Sequence, residues 1–210
     1  MNGLLYVLEE LKKKFDGKFL ITQAVKYEIL DRPIDVPRFE LGALQIKKLI
    51  DQGTLEFPSS LGISDEQIEK MTSQLMDKAN HYLMFKGQWI NIVSKAEMSC
   101  LALSYELSNR DVENLIAIDE RTTRLLAENP QDLSRLMSTR MHQDIHAVSQ
   151  EFNMFSHFRF IRSSELVYVA YKKNLLHVGS NPKVLEAVLY ATKYKGTSIS
   201  FEEIDKLKKL

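Results

Sequence analysis

The fold is decided by residues 96–130, which read AEMSCLALSYELSNRDVENLIAIDERTTRLLAENP. A helix ending near Ser108 is followed by the apolar run Asn114–Ile118, a pattern typical of a strand covered on both faces. A polar turn then leads into a predicted helix, Glu120–Glu128. Ligands and metal ions in parallel α/β sheets bind at the carboxyl ends of strands, and Asp119 stands at such an end. The alternative is that Asp119 only caps the following helix.

Composition limits the classes of protein to which the chain can belong. It has 210 residues, 44% of them hydrophobic, with 28 basic and 28 acidic side chains. A chain of this length can bury one sizeable hydrophobic core and form a small additional unit. The zero net charge argues against a basic surface all round for nucleic acid, although a local basic patch remains compatible with it.

The cysteine count and the apolar runs predict the compartment. A single cysteine, Cys100, excludes an internal disulfide and any metal site built from several cysteines. No apolar run approaches the roughly 20 residues that span a bilayer, and charges interrupt residues 1–15, unlike a signal peptide. We therefore expect a cytoplasmic protein that does not enter a membrane.

The N-terminal third is predicted to alternate helices with short strands. An amphipathic first helix closes near Gly17, a strand covers Lys18–Ile21, and Thr22 caps a helix over Gln23–Leu30. Glu28 lies on that helix four residues before Arg32, so a surface ion pair between them is the alternative to a functional role. A third helix over residues 38–52 and a short strand at Thr54–Phe57 follow.

The remaining elements are predicted from capping residues and apolar spacing. Ser64 caps a long helix, and Ser200 with Glu203 caps the last one. Between them we expect a strand at Ile90–Val93, a packing role for Trp89, and a strand at Arg159–Arg162. Helices are predicted over Gln131–Met141, Ser163–Leu176 and Pro182–Tyr194.

Several enzyme classes lack their motifs in this sequence. It has no glycine-rich phosphate loop, no nucleophile elbow, and no glutamate placed after His142 to make a zinc-protease pattern with His146. The sequence therefore argues against hydride transfer and nucleotide hydrolysis as functions. What remains is carboxylates at helix starts and strand ends, which suit Mg²⁺ or Mn²⁺.

Two motifs resemble the PIN-like domains, metal-dependent nucleases found in prokaryotic toxin–antitoxin pairs and in RNA processing. The segments Ala96–Leu103, AEMSCLAL, and Leu115–Arg124, LIAIDERTTR, are similar to a subgroup with Gly-Glu-x-Glu-Ala, a strand ending in Asp-Asp or Asp-Glu, and Arg-x-x-Arg. Phe19–Glu28 resembles that family's second strand and the helix bearing its glutamate. The segments Arg162–Leu166 and Ile199–Glu203 resemble the subgroup's closing part.

The resemblance implies a fold and a division of the chain. The fold would be α/β, with a parallel sheet flanked by helices in three layers. The domain would span residues 1–176, with insertions near 54–92 and 130–158, and residues 177–210 would form a helical extension.

The resemblance also implies hydrolysis of RNA phosphodiester bonds by water activated on Mg²⁺ or Mn²⁺. Glu28, Glu97 and Asp119 would bind the metal, Glu120 would be an additional catalytic acid, and Arg121 and Arg124 would contact substrate phosphate. RNA would be the substrate, and an antitoxin-like protein or a second copy of the chain would be a further partner.

The sequence departs from the family pattern at three points. The pattern begins with a strand ending in Asp, and we expect that strand to be missing here because Met1 falls inside the expected first helix. Ser99 replaces the second acid of Gly-Glu-x-Glu, and Ala96 replaces its glycine, so Glu97 would have to substitute. One alternative is therefore an inactive PIN-like module that binds RNA or a protein. Another is a helical regulatory subunit whose acids are only caps and surface pairs.

Overall fold

The computed structural model describes residues 3–148 and 154–209, so residues 149–153 of the predicted insertion at 130–158 lie outside the described residues. Within these ranges the chain is helix-rich, and the predicted α/β class is confirmed in that coarse sense. The helices and their bounds are α1 Tyr6–Lys12, α2 Gln23–Lys26, α3 Pro37–Asp51, α4 Asp65–Asn80, α5 Lys95–Ser108, α6 Arg121–Glu128, α7 Pro130–Met141, α8 Ser163–Lys172, α9 Pro182–Lys193 and α10 Phe201–Leu207. A π-helical turn, Tyr27–Asp31, continues α2, and a 3-10 turn covers Pro58–Leu61.

The strands are short and fall into two small sheets. Their bounds are β1 Leu83–Phe85, β2 Gln88–Trp89, β3 Ile116–Ala117, β4 His146–Ala147 and β5 Phe160–Ile161. One sheet is antiparallel in the order β2-β1-β4, and the other is the parallel pair β3-β5. A parallel bridge joins Leu20 to Glu56, where the sequence predicts two further strands.

Two strand predictions are wrong in detail. Residues 90–93 lie beyond β2 and form no strand, and Trp89 is 43% exposed with its ring edge-on to His81. The run before Asp119 is not covered on both faces, since Ile116 is 5% exposed but Leu115 is 56% exposed. Side chains alternate across a strand, and here the core covers one face only.

The capping predictions for Thr22, Ser64 and Ser200 are confirmed. The Thr22 side chain accepts a hydrogen bond from the Val25 amide at 3.2 Å. Ser64 forms a capping box with Gln67, and Ser200 forms one with Glu203. Each cap satisfies amide groups that the first turn of a helix leaves without partners, which is why these residue types start helices.

The main core lies between α4, α5, α6 and α7 and includes Ile116 of β3, with Phe160 of β5 packed against it. A second cluster joins α1 to α8 through Val7, Leu11 and Val167. A third joins α9 and α10 to the tyrosines of α8. Helix α8 therefore packs against both ends of the chain, and the ends of β3 and β5 lie beside its first residue.

Candidate functional site

Asp119 binds residues that are distant in the sequence. One carboxylate oxygen accepts the Ser163 amide at 2.9 Å, and the other accepts the Ser163 hydroxyl at 2.6 Å and the Thr197 hydroxyl at 3.0 Å. The register of the parallel pair explains the contact, since Ala117 faces Ile161 and Asp119 therefore faces Ser163 two residues later. Asp119 thus ties the end of β3 to the start of α8 and to the loop before α10.

The predicted cap of α6 is displaced by one residue. Glu120, not Asp119, precedes the helix, and its side chain accepts the Thr123 amide at 2.7 Å. The other Glu120 oxygen lies 4.0 Å from the Arg140 guanidinium. Asp119 cannot cap α6 because its carboxylate is directed across the parallel pair to α8. The role of Glu120 as an additional catalytic acid stays a prediction.

Glu97 also caps a helix. Its carboxylate accepts the Ser94 amide at 2.8 Å, and the Ser94 hydroxyl accepts the Glu97 amide, which makes a capping box at the start of α5. A carboxylate there also interacts favourably with the helix dipole. Glu28 is exposed on the π-helical turn. Its predicted ion pair with Arg32 does not form in the described part of the chain, where Lys26 pairs with Asp31 at 3.0 Å instead.

Glu28 and Glu97 both act electrostatically on the Cys100 thiol. Burial raises the pKa of the Cys100 thiol, and with the smaller contributions of the negative charges of Glu97 and Glu28 it reaches about 12. Asp119 does not contribute to this shift. Among residues 3–148 and 154–209, no group of three or more His, Cys, Asp and Glu side chains is placed to hold a metal ion. Glu28, Glu97 and Asp119 are therefore not grouped as one metal site in the described residues.

Ser99 occupies the position where the family pattern has an acid. Its side chain is buried, and its hydroxyl lies 2.6 Å from the Thr22 hydroxyl and 2.7 Å from the Ala96 carbonyl oxygen. The contact between the two hydroxyl groups links the start of α2 to α5. A carboxylate at this position would be buried without a cation, which is costly.

Arg121 and Arg124 lie in a basic cavity of about 630 Å³. We call it the basic cavity and define it by its charged residues. Four cationic side chains line it against two carboxylates. These side chains are Arg121, Arg124, Arg162, Lys193, Glu128 and Glu203.

The cations of the basic cavity differ in how far they are neutralised. Arg162 bonds to Glu203 at 2.7 Å and to Glu165 at 3.0 Å. Burial would lower the pKa of Arg162, but these two carboxylates outweigh burial and raise it. Arg121 and Arg124 form no ion pair with a carboxylate of the described residues, and the buried Nε atom of Arg124 has no hydrogen-bond partner there.

Lys193 takes a third position in the cavity wall. Its ammonium group donates to the Ile199 carbonyl and lies 4.3 Å from the centre of the Phe201 ring. Neither contact cancels its charge. The sequence does not predict a site in the region of α9 and α10. The segment Ile199–Glu203, which resembles the closing part of the PIN-like subgroup, could have indicated one there.

Comparison with known proteins adds no relative: no protein-family model, curated protein or solved structure matches this chain. None of the described helices combines the length and the apolar character needed to cross a membrane. Membership of the PIN-like family and the boundary at residue 176 therefore stay predictions.

Proposed function

We propose that this chain is a PIN-like module that binds RNA through the basic cavity. The observation that carries the proposal is the pair Arg121 and Arg124, two guanidinium groups without a carboxylate partner in the described structure, one with a buried, unpartnered Nε. Buried polar groups in folded proteins nearly always have a partner, so one without a partner in a cavity favours a ligand.

The chemistry of the cavity suits a phosphate group. A guanidinium donates through a planar fork that matches two phosphate oxygens, and charge-assisted bonds of this kind are stronger than neutral ones. Arg162 is already bonded to two glutamates. Arg121, Arg124 and Lys193 then outnumber Glu128, the other carboxylate of the lining, and leave a net positive charge for a ligand. A polyanion is the class of ligand that this excess attracts.

Two features of the fold support the PIN-like part of the proposal. The Leu20–Glu56 bridge and the β3-β5 pair are both parallel, as expected for a parallel sheet. Asp119 lies at the carboxyl end of β3, beside the start of α8. A complete three-layer arrangement and a cytoplasmic location belong to the proposal.

Binding of a labelled RNA oligonucleotide at several salt concentrations tests the proposal. We expect Arg121→Gln and Arg124→Gln each to weaken binding about tenfold at low salt and to reduce the slope of log K against log salt by about one. Arg135→Gln is the matched control, because it removes the same charge from the exposed face of α7, where the Arg135 side chain is 85% exposed.

Two results would contradict RNA binding by the basic cavity. One is an equal loss in all three variants, which would indicate a general charge effect. The other is the absence of any salt-dependent binding by the unmodified chain. Circular dichroism on each variant separates lost binding from lost folding.

A metal-dependent ribonuclease is the second candidate. The observation in its favour is that the negative charges of Glu28 and Glu97 both act on the buried Cys100 thiol. The donor set does not fit the predicted site, however, because Asp119 already accepts three hydrogen bonds and no third acid joins the pair among the described residues. Binding without hydrolysis is therefore the better-supported proposal.

Mn²⁺ addition tests the nuclease candidate. If Glu28 and Glu97 bind a metal ion, Mn²⁺ raises the melting temperature of the unmodified chain and not that of Glu28→Gln, and the same substitution abolishes Mn²⁺-dependent RNA cleavage. Glu28 is the better choice for substitution than Asp119 because it is exposed and outside the hydrogen bonds that hold α8. Equal cleavage by both proteins would exclude Glu28 as a ligand.

A further inference from the structure

Three aromatic side chains form a continuous surface beside the basic cavity. The rings of Tyr190 and Tyr194 are stacked, with centroids 6.2 Å apart and planes at 21°, and Phe201 lies 6.0 Å from Tyr190. Tyr194 is 74% exposed and Phe201 is 53% exposed. We call these three residues the aromatic surface. Two of its three rings are open to solvent in the described structure.

The aromatic surface and the basic cavity share residues. Tyr194 lines the cavity together with Arg124, and Lys193 lies between the two features, with its ammonium group over the Phe201 ring. A ligand that fills the cavity therefore meets an exposed aromatic ring at its edge. In a nucleotide, one sugar separates the phosphate from the base, so the same ligand can occupy both features.

We infer that the aromatic surface stacks an unpaired base of single-stranded RNA while the adjoining phosphate occupies the basic cavity. This inference rests on the proposed function and adds the class of RNA. Proteins that bind single strands combine a cationic groove with aromatic rings on which bases stack. Bases in a duplex are already stacked on each other, and the narrow major groove of A-form RNA excludes side chains.

The charge of the neighbouring cavity decides between RNA and an apolar protein partner for the aromatic surface. Exposed aromatic rings alone would fit either occupant. Here they adjoin Arg121, Arg124 and Lys193, none of which pairs with a carboxylate in the part of the chain that the structure describes. An anionic chain with aromatic bases complements both parts, whereas an apolar protein surface complements only one.

A thermodynamic cycle with one change in the protein and one in the ligand tests the stacking contact. The change in the protein is Tyr194→Leu, which keeps apolar volume but removes the ring. The change in the ligand is an oligonucleotide of equal phosphate number that lacks its bases. Three further samples complete the set. They are Tyr194→Phe, which keeps the ring; Tyr27→Leu, which removes a tyrosine that is 59% exposed and outside the cavity wall; and a duplex of the same sequence.

We expect the unmodified chain to bind the single strand about tenfold more tightly than either the duplex or the base-free strand. Tyr194→Leu loses about tenfold on the single strand and changes little on the base-free strand, whereas Tyr194→Phe and Tyr27→Leu bind normally. A base analogue whose fluorescence is quenched by stacking gives an independent signal, with quenching lost in Tyr194→Leu.

The outcomes separate this inference from the proposed function. If Tyr194→Leu binds the single strand normally, or loses equal affinity for both strands, stacking is overturned while the arginine variants still test the cavity. Equal affinity of the unmodified chain for single strand and duplex also overturns it. If the arginine substitutions have no effect on any oligonucleotide, RNA binding by the cavity fails as well.

Discussion

Three hydrogen bonds from two distant segments end on the Asp119 carboxylate, and this single side chain holds β3, the start of α8 and the Thr197 loop together. Its position at a strand end was predicted from the sequence, but its partners were not. Ser163 and Thr197 are 44 and 78 residues away, and no local pattern relates hydroxyl groups over such distances. Glu97 was easier to interpret, because its place in the first turn of α5 already indicates a contact with the start of that helix, whereas the cap of α6 was predicted at Asp119 and is Glu120 in the structure.

Replacing Asp119 tests this structural role. Asp119→Asn replaces one acceptor oxygen by an NH₂ group, which cannot accept the hydrogen bonds that Ser163 and Thr197 donate. We expect the free energy of unfolding to fall by about 1–3 kcal/mol, the usual effect of breaking hydrogen bonds to a charged group. Urea denaturation measures it. Asp35→Asn, at an exposed position, is the matched control and should change the value by no more than about 0.5 kcal/mol.

At the scale of secondary structure, helices were predicted well and strands poorly. Helix starts carry their own signals in the capping residues Thr22, Ser64 and Ser200, and each of these caps forms. The strands are two or three residues long, too short for an alternating pattern to emerge. Their pairing depends on which distant segment lies alongside, as β3 and β5 show.

Replacement by alanine is expected to change the free energy of unfolding in opposite directions at two glycines. Gly87 is in the two-residue turn between β1 and β2 and has φ of 78°, a conformation unfavourable for alanine, so Gly87→Ala should lower the free energy of unfolding by about 1–2 kcal/mol. Gly42 lies inside α3 with open space where a Cβ would stand, so Gly42→Ala should raise it by about 0.5–1 kcal/mol. Thermal denaturation of both variants compares them directly. Changes of the same sign would contradict the backbone argument.

At the scale of the whole molecule, α8 connects the two ends of the described chain. Its Val167 and Ala170 pack with α1, and its Tyr168 and Tyr171 pack with the cluster of α9 and α10. Residues after 176 also supply Thr197 to Asp119 and Glu203 to Arg162. These contacts join residues 1–176 to residues 177–210, the predicted domain and its predicted extension.

Shortening the chain tests that division. A chain ending at Leu176 would expose the tyrosine face of α8 and leave Arg162 without Glu203, so we expect a lower melting temperature and binding of a dye specific for exposed apolar surface. A chain ending at Leu207 is the control, since it loses the surface ion pair of Lys208 with Glu186, a kind of contact worth little. An unchanged melting temperature for the shorter chain would support an independent domain before residue 177.

Most helix positions and the caps Thr22, Ser64 and Ser200 follow from neighbours within one or two turns, and the amino-acid order alone was enough to predict them. The partners of Asp119, the parallel pairings and the basic cavity join residues that are separated by tens of positions. Arg162, Lys193 and Tyr194 line the same cavity as Arg121 and Arg124 of α6 only in the folded chain. Burial and charge pairing over such separations are properties of the folded chain, and for that reason only the tertiary structure identifies this site.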